Sequence, residues 1–335
     1  MPEYLGAPEF LKKILKMVEN SARMSGNVRM ECFEDSGQKL YRFSRGPSAF
    51  VANIECGARL MNWSVSLADG AVRDVVYWPE DAPRGGAGDE FGSVRGGIPV
   101  LFPFAGASFA GEKRDFWKTP EGEVRPMKMH GYAKCGRFEP EMVSDFGFTA
   151  LFKPDADCAE AYPYKYEFRV SYRFNELSLS CELTLKNLDS RKIPWCAGLH
   201  PYFLLPWGAG QTRKMYRLEC DAKKAVRFLP DSAFIPEDIF KNCFADPEFN
   251  NRILTNFKTA KVAFGPKNGE EDIFIKVGGG GKPEGGFCLV TWSESDASPF
   301  YCVEPWMGAP NSAANPKHFV APGTSKTFLA EISLF

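Results

Sequence analysis

Two consecutive runs of strict alternation, set in opposite phase, constrain this chain more than any other feature of its sequence. In "YKYEFRVSYRFNELSLSCELTLKN", Tyr164, Tyr166, Phe168, Val170, Tyr172 and Phe174 alternate with mostly polar residues. Leu177, Leu179, Cys181, Leu183 and Leu185 then alternate in the other phase. A period of two belongs to a strand with one buried face and does not fit the 3.6 period of a helix. The phase switch at Asn175-Glu176 predicts a tight two-residue turn that lays both apolar rows on one side of an antiparallel sheet.

Similar short runs recur along the chain: "SAFVANIEC", "RLMNWSVSL", "DVVYWP", "KMYRLEC", "KVAFG", "DIFIKV", "FCLVTWS", "YCVEPW" and "KTFLAEISLF", separated by Gly, Pro and Asp clusters. Many short strands with few helical stretches predict an all-β fold, a large antiparallel sandwich or barrel. No fixed period repeats, which argues against a propeller or solenoid. Residues 1–27 read differently. Phe10, Leu11, Ile14, Leu15 and Val18 fall at helical spacing with lysines among them, which predicts an amphipathic helical extension docked on a single domain spanning 28–335. "VGGGGKPEGGF" lacks the spacing and the following helix of a phosphate-binding loop, so it reads as a mobile hairpin loop. "APRGGAGDEFGSVRGG" reads as a long surface loop.

Composition narrows the partners. The 335 residues carry 41 Lys plus Arg against 42 Asp plus Glu, so no basic footprint calls for nucleic acid or an anionic membrane. A small-molecule partner fits better, and the oligomeric state is not legible. Ten widely scattered cysteines without a CxxC predict reduced thiols in a cytoplasmic protein. The first residues lack the apolar core and cleavage site of a secretory signal, and no run approaches 18 uninterrupted apolar residues.

The three histidines are the sparsest chemical resource. His318, beside a Pro-Gly turn, reads as structural. His130 precedes a glycine and an aromatic, and His200 precedes Pro-Tyr-Phe, where Pro201 would stiffen the backbone behind the imidazole. Glu304 lies in an apolar strand before a proline, where an unpartnered carboxylate is costly to bury. No histidine pair has metal-ligand spacing and no cysteine pair supports one, so no metal is expected. "RGGIPVLFPFAG" joins Arg95 and a Gly-Gly pair to an apolar, proline-broken run, the composition of a ligand-facing loop.

"RGGIPVLFP", "HGYAK", "LHPYF" and "VEPWMG", in that order, resemble the aldose 1-epimerase (galactose mutarotase-like) superfamily, and most closely its glucose-6-phosphate 1-epimerase-like branch. The likeness covers roughly residues 40–335. It implies a large antiparallel β-sandwich with a sugar in an open cleft. The activity implied is interconversion of the α and β anomers of a hexose or hexose 6-phosphate, with no cofactor. Ring opening needs a base for the proton on O1 and an acid for O5. By the resemblance Glu304 is the base, His200 the acid, and His130 a supporting contact to the sugar.

Arg95 and Arg59 are candidate donors to sugar oxygens or a phosphate. Trp63, Phe102, Tyr202 and Trp306 are candidate apolar faces for the pyranose. Lys134 stands where the phosphate-using branch typically carries arginine, and so lacks the bidentate fork. Asn251 aligns with an aspartate that holds sugar hydroxyls in the family, and an amide there contributes no charge. Two other readings stay open: a non-catalytic carbohydrate-binding or regulatory member of the fold, and a glycoside hydrolase with two carboxylates.

Overall fold

The structure is a computed structural model that describes residues 28–86, 89–229, 233–268, 271–314 and 316–335. The expected N-terminal helix falls outside the described residues. The rest follows the alternation, because strands that are apolar on one face are buried by pairing two sheets across that face.

One sheet has thirteen strands among the described residues. It begins as a meander through Arg29–Asp35, Gln38–Arg45, Ser48–Asn53, Arg59–Ser66 and Val72–Val76. It then continues through Tyr202–Leu204, Phe300–Trp306, Cys288–Trp292, Arg252–Thr255, Lys224–Phe228 and Phe234–Glu237. An eight-stranded sheet holds Arg137–Ser144, Gly147–Lys153, Tyr166–Phe174, Ser178–Asn187, Ser325–Leu334, Ile273–Val277, Lys261–Pro266 and Tyr216–Cys220. Every pairing in the two sheets is antiparallel, in the manner of a β-sandwich.

The alternating hairpin forms with Phe174 opposite Leu179 and with Phe168, Val170, Leu183 and Leu185 fully buried. Its turn lies one residue later than the phase switch suggests. Asn175 N–H donates to the Ser178 carbonyl (2.8 Å), so Glu176-Leu177 is the two-residue loop and Leu177 faces solvent. Alternation locates a register to within one residue, and the turn's own hydrogen bonds settle the last one. Each inward Phe, Val or Leu contributes about 1.5–3 kcal/mol on burial, against about 1–2 kcal/mol per residue of backbone ordering. The hairpin alone therefore breaks roughly even, and the opposing sheet supplies the surplus.

Between the sheets lies a continuous aromatic core. The Phe174 ring packs 4.7 Å from Phe43 and 4.5 Å from Phe50, and Phe102 stacks on Phe168 at 3.8 Å. In strand Phe300–Trp306 the odd residues Tyr301 and Val303 join this core, while Cys302, Glu304 and Trp306 point to the opposite, outer face of the thirteen-stranded sheet. The segment after Val76 folds over part of that outer face, laying Trp78, Phe91 and Val94 on Leu40, Val51 and Met61. The glycine-rich 278–286 stretch is not a hairpin loop. It carries the chain from Ile273–Val277 in the smaller sheet to Cys288–Trp292 in the larger one. No described helix is long and apolar enough to cross a membrane. All ten cysteines are free, but only five are buried.

Candidate active site

The segment 95–106 braces the site from behind. His200 N–H donates to the Pro99 carbonyl (3.0 Å), Tyr202 N–H to Gly97 (2.9 Å) and Cys196 N–H to Pro103 (2.8 Å). Both prolines act where only a carbonyl is needed, so their missing N–H costs nothing. Gly97 has a φ of 68°, and a Cβ there would lie 2.4 Å from the Leu60 carbonyl oxygen. The bare backbone of this segment therefore allows close packing on the sheet. Its aromatics turn away from the cleft, with Phe102 and Phe104 fully inside the sandwich.

His200 and Glu304 meet on the outer face. His200 Nε2 lies 3.4 Å from Glu304 Oε2, with the Glu304 side chain 1% exposed. Neither His200 Nδ1 nor Glu304 Oε2 has a hydrogen-bond partner, an expensive arrangement for buried polar atoms. Burial pushes the Glu304 carboxyl well above its ordinary range, opposed only by the Trp306 indole. Burial also pulls His200 well below the usual imidazole value, with His130 adding to the effect. The His200 ring stacks on Tyr202 (4.7 Å, 12°) and meets Trp292 edge-on at 5.9 Å, which fixes its plane.

His130 is held by Gly106 from both sides. Its N–H donates to the Gly106 carbonyl (2.9 Å) and its Nδ1 accepts from Gly106 N–H (3.1 Å). Burial, aided by the charge of Lys134, lowers its pKa to about 3, so the ring is neutral at pH 7. With Nδ1 accepting, the single ring proton resides on Nε2. The ring lies 5.4 Å from His200 and 5.6 Å from Trp306. Trp306 in turn sits over Gly198, where a Cβ would come within 2.6 Å of the indole.

The other candidates divide. Tyr202 and Trp306 belong to the histidine–glutamate cluster, and Lys134 is near enough for its charge to act on both His130 and His200. Arg95 stands at the rim, ion-paired with Glu294 and with its guanidinium 5.7 Å from the Trp292 ring.

Arg59 is fully buried and is no ligand donor. It donates to the carbonyls of Phe91 (2.9 Å), Val94 and Gly96 (2.5 Å each), between the rings of Trp78 and Phe91. It holds Phe91, Val94 and Gly96 against the sheet, and burial lowers its pKa to about 10. Phe102 and Trp63 face the interior, Trp63 donating to the Ser48 hydroxyl at 3.0 Å. Asn251 occupies an exposed turn with φ 58°, and no contact joins it to the cluster. His318 is structural, with Nε2 3.0 Å from the Met307 carbonyl.

Trp292, Glu294 and Cys302 escaped the sequence reading. The hairpin that pairs Trp292 with Cys302 and Val290 with Glu304 puts them beside the catalytic candidates, and the alternation of "FCLVTWS" against "YCVEPW" carries that signal. The ligand atoms of His200, Cys302 and Glu304 all lie within 4.8 Å of one another.

A sandwich of two antiparallel sheets with this cluster on its outer face has the galactose mutarotase-like fold. It superposes on a galactose mutarotase-like protein from Clostridium acetobutylicum with a TM-score of 0.70 at 15% identity, covering 92% of this chain and 98% of that one. A galactose mutarotase related enzyme from Lactobacillus acidophilus gives 0.69 at 18% identity, over 88% and 97% of the two chains. In sequence, the chromosomal LacX protein of Lactococcus lactis subsp. lactis is 26% identical over 241 residues, covering 65% of this chain and 75% of that one. The aldose 1-epimerase family profile matches residues 39–329, and the chain belongs to that family.

Proposed function

We propose that this protein is an aldose 1-epimerase that interconverts the anomers of a hexose and favours unphosphorylated sugar. Family membership supports a mutarotase-type activity. The observation that carries the reading is the buried pair at 3.4 Å, His200 Nε2 and Glu304 Oε2, with atoms unpaired on each partner. A binding site without turnover has no need of a buried acid and base in proton-transfer reach, which favours an enzyme over the binding reading.

The chemistry follows from the protonation states. Burial favours the neutral forms of both groups, and passing one proton from Glu304 to His200 yields a carboxylate base and an imidazolium acid. Sugar hydroxyls donating to the carboxylate stabilise that charge-separated form. Glu304 then takes the O1 proton as His200 protonates O5, the C1–O5 bond breaks, and the free aldehyde rotates about C1–C2. Reclosure on the other face reverses both transfers and restores the pair. His130 Nε2–H supplies a neutral donor that steadies the developing charge on oxygen.

Preference for a neutral sugar rests on the two arginines. Arg59 is buried with both terminal guanidinium nitrogens on backbone carbonyls, and Arg95 is paired with Glu294, so a phosphate would have to displace a carboxylate. The test is anomer exchange by NMR on glucose, galactose and glucose 6-phosphate, comparing wild type with Glu304→Gln. Acceleration of a neutral hexose by wild type alone is expected. Equal rates in the two proteins would overturn the mechanism, and a strong preference for glucose 6-phosphate would overturn the specificity.

A further inference from the structure

We propose that His200, Cys302 and Glu304 form a binding site for a thiophilic divalent cation, Zn²⁺ being the best fit, which competes with the sugar and switches the enzyme off. The site departs from the sequence expectation of no metal because His200 is distant in sequence from Cys302 and Glu304 and meets them only across paired strands. Cys302 and Glu304 are two residues apart on one strand and share its outer face, and His200 precedes the strand that pairs with them through Tyr202 and Cys302.

The geometry is close to a metal's. Zn–N near 2.0 Å, Zn–O near 2.1 Å and Zn–S near 2.3 Å put the donors of one tetrahedron about 3.3–3.6 Å apart. The His200–Glu304 separation of 3.4 Å already falls there, and the 4.8 Å limit on the set closes with side-chain shifts of about an ångström. Imidazole, thiolate and carboxylate leave a fourth position open. The Oε2 of Glu304 lacks any hydrogen bond that a metal would have to break.

Charge favours the same ion. A thiolate and a carboxylate neutralise a divalent cation beside a neutral imidazole, so the buried assembly carries no net charge. Coordination releases the Cys302 thiol proton and any Glu304 carboxyl proton to solvent, with no change of oxidation state. Mg²⁺ and Ca²⁺ demand six or more oxygen ligands, and a nitrogen–sulfur–oxygen set selects against them. Inhibition, which rests on the epimerase reading, follows because one ion occupies both the acid and the base.

Cobalt tests the site independently of turnover. Adding Co²⁺ to metal-free wild type should produce a thiolate-to-cobalt charge-transfer band with four-coordinate ligand-field bands, displaced by Zn²⁺. Cys302→Ser should lose the charge-transfer band while melting like wild type. Glu304→Gln, the second variant should Cys302→Ser fail to fold, should bind Co²⁺ at least tenfold more weakly. No band at tenfold excess of Co²⁺, or an undiminished band in either folded variant, would overturn the site. In the kinetic arm Zn²⁺ should slow wild-type anomer exchange at least tenfold, with less than twofold effect on Cys302→Ser and none from Mg²⁺. Equal inhibition by Mg²⁺ would overturn the ligand assignment. A protein that gains the cobalt band yet turns over no sugar would refute the epimerase reading and leave the metal site standing.

Discussion

The two faces of the thirteen-stranded sheet are built on opposite principles. On the inner face, Phe43, Phe50 and Phe102 pack ring against ring with Phe174 and Phe168 of the smaller sheet. The outer face buries as deeply around strand Phe300–Trp306, yet it holds His130, His200 and Glu304 and leaves Glu304 Oε2 and His200 Nδ1 unpaired. A buried carboxyl and a buried imidazole left unpaired on the outer face cost stability where the chemistry is done.

Substitutions on the two faces should therefore fail in different ways. The largest effect is expected inside. Phe102→Ala removes the ring stacked on Phe168 at 3.8 Å and should cost about 3–5 kcal/mol in denaturant unfolding. A loss under about 1 kcal/mol would mean that the inner face is not tightly packed there. Next comes Glu304→Gln, which should lower turnover by on the order of 100-fold, about 2.7 kcal/mol of barrier, while the fold persists. If that variant unfolded instead, the outer face would be structural and the contrast would fail.

The same variant sharpens the contrast through pH. The Glu304 carboxyl is held protonated above its ordinary value of 4.5, so the folded form loses stability relative to the unfolded chain as pH rises from there. Glu304→Gln lacks this loss. Its melting temperature should match wild type near pH 4 and exceed it increasingly toward neutrality. A wild type that gains stability over that range relative to the variant would mean that the carboxylate has a cationic partner. His200 acts at the other end. Held neutral below 6.5, it costs stability as pH falls beneath that value, so His200→Asn should resist mild acid better than wild type.

The inner face was legible from sequence because alternation reports which residues share a side, and the hairpin at 166–187 missed only its turn by one residue. On the outer face His130 and His200 stood out as two of only three histidines and Glu304 as a carboxylate in an apolar strand, and the motif order tied them to a family. What alternation cannot report is which of two buried faces a residue takes. Phe102 and Trp63 are candidates by sequence for a sugar-facing wall although core is the commoner place for an aromatic, and the stacking of Phe102 on Phe168 and of Trp63 on Phe50 puts both inside. Arg59 misled for a related reason. An arginine in a strand suggests a ligand, but the carbonyls that occupy it come from residues 91–96, more than thirty positions away. Trp292 and Glu294 were missed because their role depends on the neighbouring strand.

The smallest expected effect concerns the rim, where the two faces no longer differ and solvent weakens every charge. Arg95 and Glu294 are each nearly half exposed, and such a pair is worth about 0–1 kcal/mol. Glu294→Gln should barely change activity on a neutral hexose, because nothing there depends on the carboxylate. It should raise kcat/KM for hexose 6-phosphate by up to about fivefold, the ratio that corresponds to 1 kcal/mol, by freeing Arg95 to meet the phosphate. The gain should vanish in the double variant Arg95→Ala/Glu294→Gln, and it should shrink as salt is raised through physiological strength, where screening acts over about 8 Å. A gain that survives loss of Arg95 would place the phosphate elsewhere. Equal gains for neutral and phosphorylated sugars would make Glu294 a gate to the cleft instead of a filter on charge.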